Sequence, residues 1–400
     1  MPNPELQSDP AEVNYVDVVF SYAFRPFFLL IGVYALLMLL AWAFYLSGVI
    51  VWPEGITPRV RHGHEMIFGF AGGAIAGFLL TAVATWTKRP PVSGATLMAM
   101  SAVWVLARLG GFLPGSFGWL IWGMSSLMFW GGLLALMSGE VIAAKNERNY
   151  KALLLLTVFL LVEGVFFINA GGSVDLQDKC LRLGLFLVLG MIIMVGGRII
   201  PAFSQNWLRS NCPESSAVIP AFDRIDSAAI ALTALFGFGF VLWPNSSVTG
   251  ILGLFAAFAQ AYRLARWQGW RVGREPLLWV LHLGYAWIPV GFLLLSIAIL
   301  GKPSLWESGI HALTYGAVGS LILSVAARVA LGHTGRPLQS FPLMTLAFVL
   351  INLGALSRVI AQPGIGGWMT LSIALWMGAY GLFLTQYVPI LLAPRLKPSV

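Results

Sequence analysis

Long apolar stretches separated by short polar connections cover almost the whole chain. Between Arg25 and Pro394, runs of about 20 mostly apolar residues recur, and each is long enough to cross a hydrocarbon core about 30 Å thick. A helix satisfies its backbone hydrogen bonds within its own segment, and these runs are far too long for the strands of a membrane barrel. The pattern therefore predicts an all-α, polytopic integral membrane protein.

Breaks at proline, glycine and charged residues divide this pattern into about twelve transmembrane helices. The predicted spans are 26–49, 63–86, 93–113, 117–144, 151–170, 180–200, 226–243, 248–268, 276–300, 306–331, 341–361 and 366–392. A polar linker at 205–225 separates two six-helix halves, 25–204 and 226–394, and the terminal tails are 1–24 and 395–400.

Composition and charge agree with a membrane protein. Only 10% of the residues are charged, against about 25% in soluble domains. The net charge of +8 does not indicate nucleic-acid binding, because the basic residues are scattered in short loops without a basic tract. Most of them flank the even-numbered connections and the C-terminus, which predicts that both termini are cytoplasmic. Cys180 and Cys212 then lie on opposite sides of the membrane, so no disulfide is expected.

The second and tenth predicted spans have similar sequences. A shift of 247 residues aligns His64 with His311. The same shift aligns Gly69 with Gly316, Gly72 with Gly319, Thr87 with Thr334, Arg89 with Arg336 and Pro90 with Pro337. Both spans run in the same direction, so the match predicts a parallel internal repeat with a pseudo-two-fold axis near the membrane normal. That symmetry would place His64 and His311 at equal depth on facing helices, where two imidazoles can ligate a haem iron from both sides.

All five histidines are candidate metal ligands: His62, His64, His282, His311 and His333. An ionisable residue inside a bilayer is costly and is a functional candidate by default, and neutral imidazole is the commonest side-chain metal ligand. The alternative is that each ring is a hydrogen-bonding group between helices. Imidazole suits copper, zinc and iron alike, so the residue type does not select the metal.

Several charged residues are candidates for supporting roles. Glu65, Arg108 and Glu163 are candidates for orienting a histidine or relaying protons, because each lies within or beside a predicted span. Arginines at the inner helix ends are expected to anchor the topology, with anion binding as the alternative. They are Arg89, Arg198 and Arg336.

Six separated motifs resemble those of the NnrS family, and the resemblance covers nearly the whole chain. They are Phe24–Phe28 (FRPFF), His62–Phe70 (HGHEMIFGF), Gly197–Phe203 (GRIIPAF), His282–Trp287 (HLGYAW), His311–Thr314 (HALT) and Leu331–Pro337 (LGHTGRP). The resemblance implies a bacterial inner-membrane protein with twelve helices, containing haem b and copper, tied to nitric oxide metabolism and tolerance of nitrosative stress. The family's histidines fall on all five histidines of this chain. Arg61 and Gly63 depart from the family pattern, which has Trp and Ala there.

The resemblance leaves the division of ligands and the fate of nitric oxide open. The repeat suggests haem on His64 and His311 and copper at His62 and a neighbour, with His282 as the rival haem ligand. Whether the protein is a nitric oxide-converting oxidoreductase is also open. Reduction would need an external electron donor, because the sequence has no Cys-X-X-Cys-His motif or nucleotide fingerprint. The alternative function is a twelve-span secondary transporter of a metal, a haem or a small anion.

Overall fold

The computed structural model describes residues 14–169, 172–212, 218–361 and 367–396. Those residues form helices and connections without a β-strand, so the predicted all-α class is confirmed. Several predicted boundaries lie outside the described residues. These are the tail before Asn14, the end of the fifth span at 170, the linker centre at 213–217, the start of the last span at 366, and 397–400.

Twelve apolar helices follow a short helix at Tyr15–Val19. They are α1 (Phe24–Leu46), α2 (Pro58–Thr87), α3 (Gly94–Gly110), α4 (Gly115–Ala143), α5 (Tyr150–Ile168), α6 (Val174–Asn211), α7 (Arg224–Leu242), α8 (Ser247–Arg266), α9 (Pro276–Ile299), α10 (Pro303–His333), α11 (Pro342–Ile360) and α12 (Trp368–Leu392). Eleven of them are long and apolar enough to cross a membrane, and α3, at 17 residues, is at the lower limit. The helices match the twelve predicted spans in order.

Local sequence sets where several helices begin. The Thr57 side chain accepts a hydrogen bond from the Val60 backbone N–H, and Pro58 occupies the first turn of α2. Proline suits that position because its missing N–H would be unpaired there in any case. Asp223 and Asp226 form a capping box at the start of α7. Caps of this kind satisfy the free N–H groups of a first helical turn.

Helix α6 is longer than predicted. The sequence pattern ended this span at 200 because Pro201 follows, but the helix continues to Asn211 and has 38 residues. Membrane helices tolerate proline because neighbouring groups satisfy the freed carbonyl. At 1.5 Å per residue α6 is about 57 Å long, so it extends well beyond a 30 Å hydrocarbon core. The first residues of the predicted linker, 205–211, are therefore helical, and the division into two halves stays a prediction.

Helices α2 and α10 lie at the centre of the bundle. Their most apolar windows are 83% and 72% buried inside the protein, a larger share than for any of the other nine candidate spans. Helix α12 packs against α1, so the last span lies beside the first. The two central spans therefore meet the protein interior rather than lipid on most of their surface.

The helix contacts show a recurring arrangement. Helix α2 packs against α1 and α4, and α3 packs against α4. In the same way α10 packs against α9 and α12, and α11 packs against α12. The internal repeat stays a prediction, but this packing favours a repeating unit of four helices at each end of the chain. The expected six-helix halves would not pair α2 with α10.

The ends of α6 provide a test of the predicted orientation. Cys180 is buried near the start of α6 and Cys212 is partly exposed just after its end. In a Cys180→Ser variant, we expect a membrane-impermeant maleimide to label Cys212 in inside-out vesicles and not in right-side-out vesicles. Labelling only in right-side-out vesicles would contradict the cytoplasmic placement of both termini.

Candidate functional site

The two histidines matched by the repeat both lie directly before a π-helical turn. Within α2, His64 is followed by a π-helix at Glu65–Ala71. Within α10, His311 is followed by a π-helix at Ala312–Gly319. Such turns are rare and frequently occur at functional sites, because the extra residue per turn re-aims side chains. The shared irregularity at aligned positions supports the repeat prediction.

A cavity between α2 and α10 is lined by His62 and His311. We call it the histidine cavity. Its walls are mostly aromatic and aliphatic side chains from α1, α2, α6 and α12, among them Leu39, Trp42, Phe70, Leu185, Val188 and Trp376. The cavity lies toward the N-terminal ends of α2 and α10, on the predicted outer side of the membrane. The fold thus brings together two of the five predicted histidines, but they are not the pair that the sequence alignment matches.

His311 is held by its own helix. Its Nδ1 lies 2.8 Å from the backbone oxygen of Glu307. A carbonyl oxygen can only accept a hydrogen bond, so Nδ1 carries the proton and a neutral ring keeps its lone pair on Nε2. Metal-bound histidines commonly have this arrangement, in which one ring N–H is donated to a backbone carbonyl.

His62 faces the same cavity from α2. Its ring is stacked on Trp42, with a centroid distance of 4.3 Å and an interplanar angle of 23°. Its Nδ1 is buried and has no hydrogen-bond partner among the described residues. A buried polar atom without a partner is unfavourable, and a bound ion or ligand is one way to satisfy it. The two rings therefore present nitrogen lone pairs with the chemistry that a transition metal requires.

Three arginines line the histidine cavity beside the rings: Arg59, Arg182 and Arg358. Arg59 forms an ion pair with Asp178 at 2.7 Å, and Glu307 also lines the cavity. Arg182 also pairs with an aspartate, Asp175, at 3.8 Å, so Arg358 is the arginine that favours an anionic group at the edge of this mostly apolar chamber. Sequence reasoning did not select the three arginines, because each lies near the end of a predicted span, where topology alone accounts for a basic residue.

His64 lies outside the lining of the histidine cavity, in a buried network of charged residues. Its Nδ1 is 3.2 Å from Glu65 Oε1 and its Nε2 is 3.1 Å from Glu163 Oε2. Arg108 Nη1 donates to Glu65 Oε2 at 2.6 Å, and the Tyr34 hydroxyl donates to the same carboxylate. We call these five residues the α2 charge network. The three predicted supporting residues Glu65, Arg108 and Glu163 all belong to it.

The hydrogen-bond geometry around His64 requires one proton more than a neutral imidazole ring carries. A neutral imidazole has a single N–H, yet both ring nitrogens of His64 face carboxylate oxygens. Both contacts are hydrogen bonds only if the ring is protonated or one of the two carboxyl groups is. With Arg108 as the one fixed cation, a proton on His64 makes the network electrically neutral. Two carboxylates, one guanidinium and one imidazolium balance in a low-dielectric interior.

The remaining two histidines lie elsewhere. His282 in α9 is buried, with its Nε2 2.9 Å from Ser204 Oγ and its Nδ1 without a partner among the described residues. His333 at the end of α10 lies against Tyr22 and Phe24, at centroid distances of 5.3 and 5.6 Å. The structure does not bring either ring into the histidine cavity. Across the described residues, no group of three or more His, Cys, Asp or Glu side chains converges as a metal site.

The predicted anion contacts are not gathered in one place. Arg89 forms an ion pair with Glu140 at 2.5 Å, and Arg198 is exposed on α6. Arg336 follows α10, and its buried Nη1 has no partner within the described residues. Anion binding by these arginines stays a prediction.

A second buried ion pair was missed by the sequence analysis. Arg263 Nε donates to Asp226 Oδ1 at 2.6 Å and its Nη1 donates to the Tyr285 hydroxyl at 2.9 Å. Tyr285 in turn donates to Gln260 Oε1 at 2.7 Å. The sequence does place an Asp and an Arg near the ends of two neighbouring apolar spans, which could have suggested an ion pair. Both residues lie where polar loops were expected, so the pair was not predicted.

Removing one charge from the α2 charge network should destabilise the fold. We expect Glu65→Gln to lower the free energy of unfolding by about 3–5 kcal/mol, because it leaves Arg108 buried without its carboxylate. Unfolding in SDS, followed by tryptophan fluorescence, measures the change.

The exposed pair Arg89–Glu140 provides the matched control. Its side chains are 46% and 22% exposed, so Glu140→Gln should change stability by about 0–1 kcal/mol. A double variant, Glu65→Gln with Arg108→Met, should recover most of the loss. Equal effects of Glu65→Gln and Glu140→Gln would contradict the network's role in stability.

Comparison with known proteins agrees with the motifs and the fold. The model of the family described as "NnrS protein" matches residues 18–395, which include all twelve apolar helices. No curated protein matches the chain. A match of this extent assigns the family, and the helices assign the setting: the chain belongs to the NnrS family and is a membrane-spanning protein.

Proposed function

We propose that the protein is a haem- and copper-binding protein of the bacterial inner membrane that binds nitric oxide and counters nitrosative stress. The observation that carries this proposal is the pair of imidazoles in the histidine cavity. His62 and His311 line one apolar chamber, and His311 Nδ1 is already engaged by the carbonyl of Glu307. Family membership agrees with the proposal.

The residues around the cavity fit a haem. Two histidine rings supply the nitrogen ligands that haem iron takes, and flat aromatic walls such as Trp42 and Trp376 suit the faces of a macrocycle. Arg358 suits a propionate group, because guanidinium pairs with carboxylates through two parallel hydrogen bonds. Arg59 and Arg182 already pair with Asp178 and Asp175, so they would bind a propionate only by exchanging partners. We therefore assign the proposed haem to His62 and His311 rather than to His64 and His311.

Copper is proposed with a less defined site. The same two imidazoles suit copper as well as haem iron. The carboxylates at both ring nitrogens of His64 leave that ring no free nitrogen for a metal. His282 has an unpartnered Nδ1 and is the further candidate ligand.

The residues that line the histidine cavity favour the entry of nitric oxide over that of polar solutes. Reduced haem iron and cuprous copper both bind nitric oxide. Away from its charged edge, the mostly apolar walls of the histidine cavity offer water and ions few partners, whereas a small, neutral, lipid-soluble molecule enters without losing strong hydration. His311 is kept in one tautomer by Glu307, and Trp42 fixes the plane of His62. If nitric oxide is converted rather than only bound, the electrons come from an external donor.

A secondary transporter is the second candidate, favoured by the position of the cavity. It lies between α2 and α10, the spans matched by the predicted repeat, and many transporters bind their substrates between such repeats. In that case the histidines would line a path for a metal, a haem or a small anion.

Absorption spectra of purified protein distinguish the two candidates. From cells supplied with iron and copper, we expect a Soret band that is lost in His62→Ala and in His311→Ala, because each removes a proposed ligand. His333→Ala is the control and should keep the band, since its ring lies among Tyr22 and Phe24. Haem and metal content by elemental analysis completes the measurement.

The same series separates the possible ligand pairs. Retention of the band in His64→Ala supports His62 and His311 as the ligands. Loss of the band in His64→Ala or His282→Ala, with retention in His62→Ala, would contradict the assignment. A colourless, metal-free protein that carries a substrate across the membrane would favour the transporter.

A further inference from the structure

A cavity lined only by apolar side chains adjoins the histidine cavity. Its volume is about 100 Å³, and it is a partly open chamber lined mainly by α2, α6 and α10. We call it the apolar cavity. Ala71 of α2 and Val188 of α6 line both cavities, so the two chambers are neighbours across these side chains. The proposed function makes no use of this second chamber.

The lining of the apolar cavity restricts what can occupy it. None of its side chains carries a nitrogen or an oxygen atom, and Met191 supplies its one sulfur. Water needs two to four polar partners in a buried site, so water is not stabilised here. Apolar cavities of about 150 Å³ stay dry and bind xenon or benzene. The chamber therefore suits a small, uncharged, apolar molecule.

The apolar cavity lies between the lipid-facing surface of the helices and the histidine cavity. Ala74 and Phe78 lie roughly 24–30 Å along α2 from Pro58, which is deep within the span. Phe78, Ile199 and Ile322 line the cavity and are partly exposed at the surface of membrane-spanning helices. One side of the chamber thus lies near the lipid-facing surface, and the side chains of Ala71 and Val188 separate the other side from the histidine cavity.

We propose that the apolar cavity binds a small neutral gas and passes it between the bilayer and the histidine cavity. The identity of the gas as nitric oxide rests on the proposed function. The affinity of the chamber for an apolar gas does not, because it follows from the lining alone. Ions and polar solutes are excluded, since they would lose hydration without gaining a partner.

Xenon tests the binding site without any metal centre. In crystals of the full chain under xenon pressure, we expect anomalous density in the apolar cavity. Ala74→Phe and Val195→Phe should abolish it, because each fills the chamber from a different helix. Ala231→Phe is the matched control, since Ala231 is exposed on α7. It should keep the xenon site.

Two results would overturn the binding site. One is the absence of xenon from this cavity in the unsubstituted chain. The other is a lipid acyl chain or a detergent tail filling the chamber. Both are independent of whether a haem is bound, so they do not depend on the proposed function.

Gas rebinding after flash photolysis tests the route in haem-containing protein. We expect Ala74→Phe and Val195→Phe to slow bimolecular nitric oxide rebinding by about tenfold, equivalent to about 1.4 kcal/mol in the barrier. The Soret spectrum should not change, because neither residue lines the histidine cavity. Xenon binding combined with unchanged rebinding rates would overturn the delivery role. Absence of a Soret band from the unsubstituted protein would instead refute the proposed function.

Discussion

Hydrocarbon offers no hydrogen bonds, and this constraint decides where polar side chains lie in the protein. The lipid-facing surface carries large apolar side chains such as Leu161 and Phe258, which are 62% and 73% exposed. Charges that enter the spans are buried between helices, and four of them form two ion pairs: Glu65 with Arg108, and Asp226 with Arg263. An unpaired charge at such a depth would cost several kcal/mol. The central position of α2 agrees with this constraint, because His64 and Glu65 of that helix are among the groups that lipid cannot accept.

The sequence was sufficient for the number, order and approximate limits of the helices, because apolar runs of about 20 residues need no tertiary information. The sequence was insufficient where contacts with a neighbouring helix override a local preference or pair two distant residues. Pro201 signals a helix end in isolation, yet α6 continues for ten more residues after it. Similarly, Asp226 and Arg263 looked like loop charges at span ends. Only their approach in three dimensions shows that they form a buried ion pair.

For the candidate site, too, the sequence was sufficient for some features and insufficient for others. All five histidines could be selected from the sequence, since imidazoles in spans are rare and costly. Which of them face one another could not, because His62 and His64 are two residues apart and point to different sides of α2. The alignment pairs His311 with His64, whereas the fold places His311 with His62 and leaves His64 between two carboxylates. The π-helical turns after both aligned histidines change the direction in which side chains point, and no residue pattern in the sequence predicts these turns.

The account depends on His62 and His311 holding a metal centre within an apolar chamber. A cryo-electron microscopy map of the protein, purified from iron- and copper-replete cells into lipid nanodiscs, tests this most directly. We expect the density of a bound cofactor in the histidine cavity, in contact with His62 and His311 and with a charged group near Arg358. An empty histidine cavity, or a macrocycle ligated by His64 or His282 instead, would contradict it.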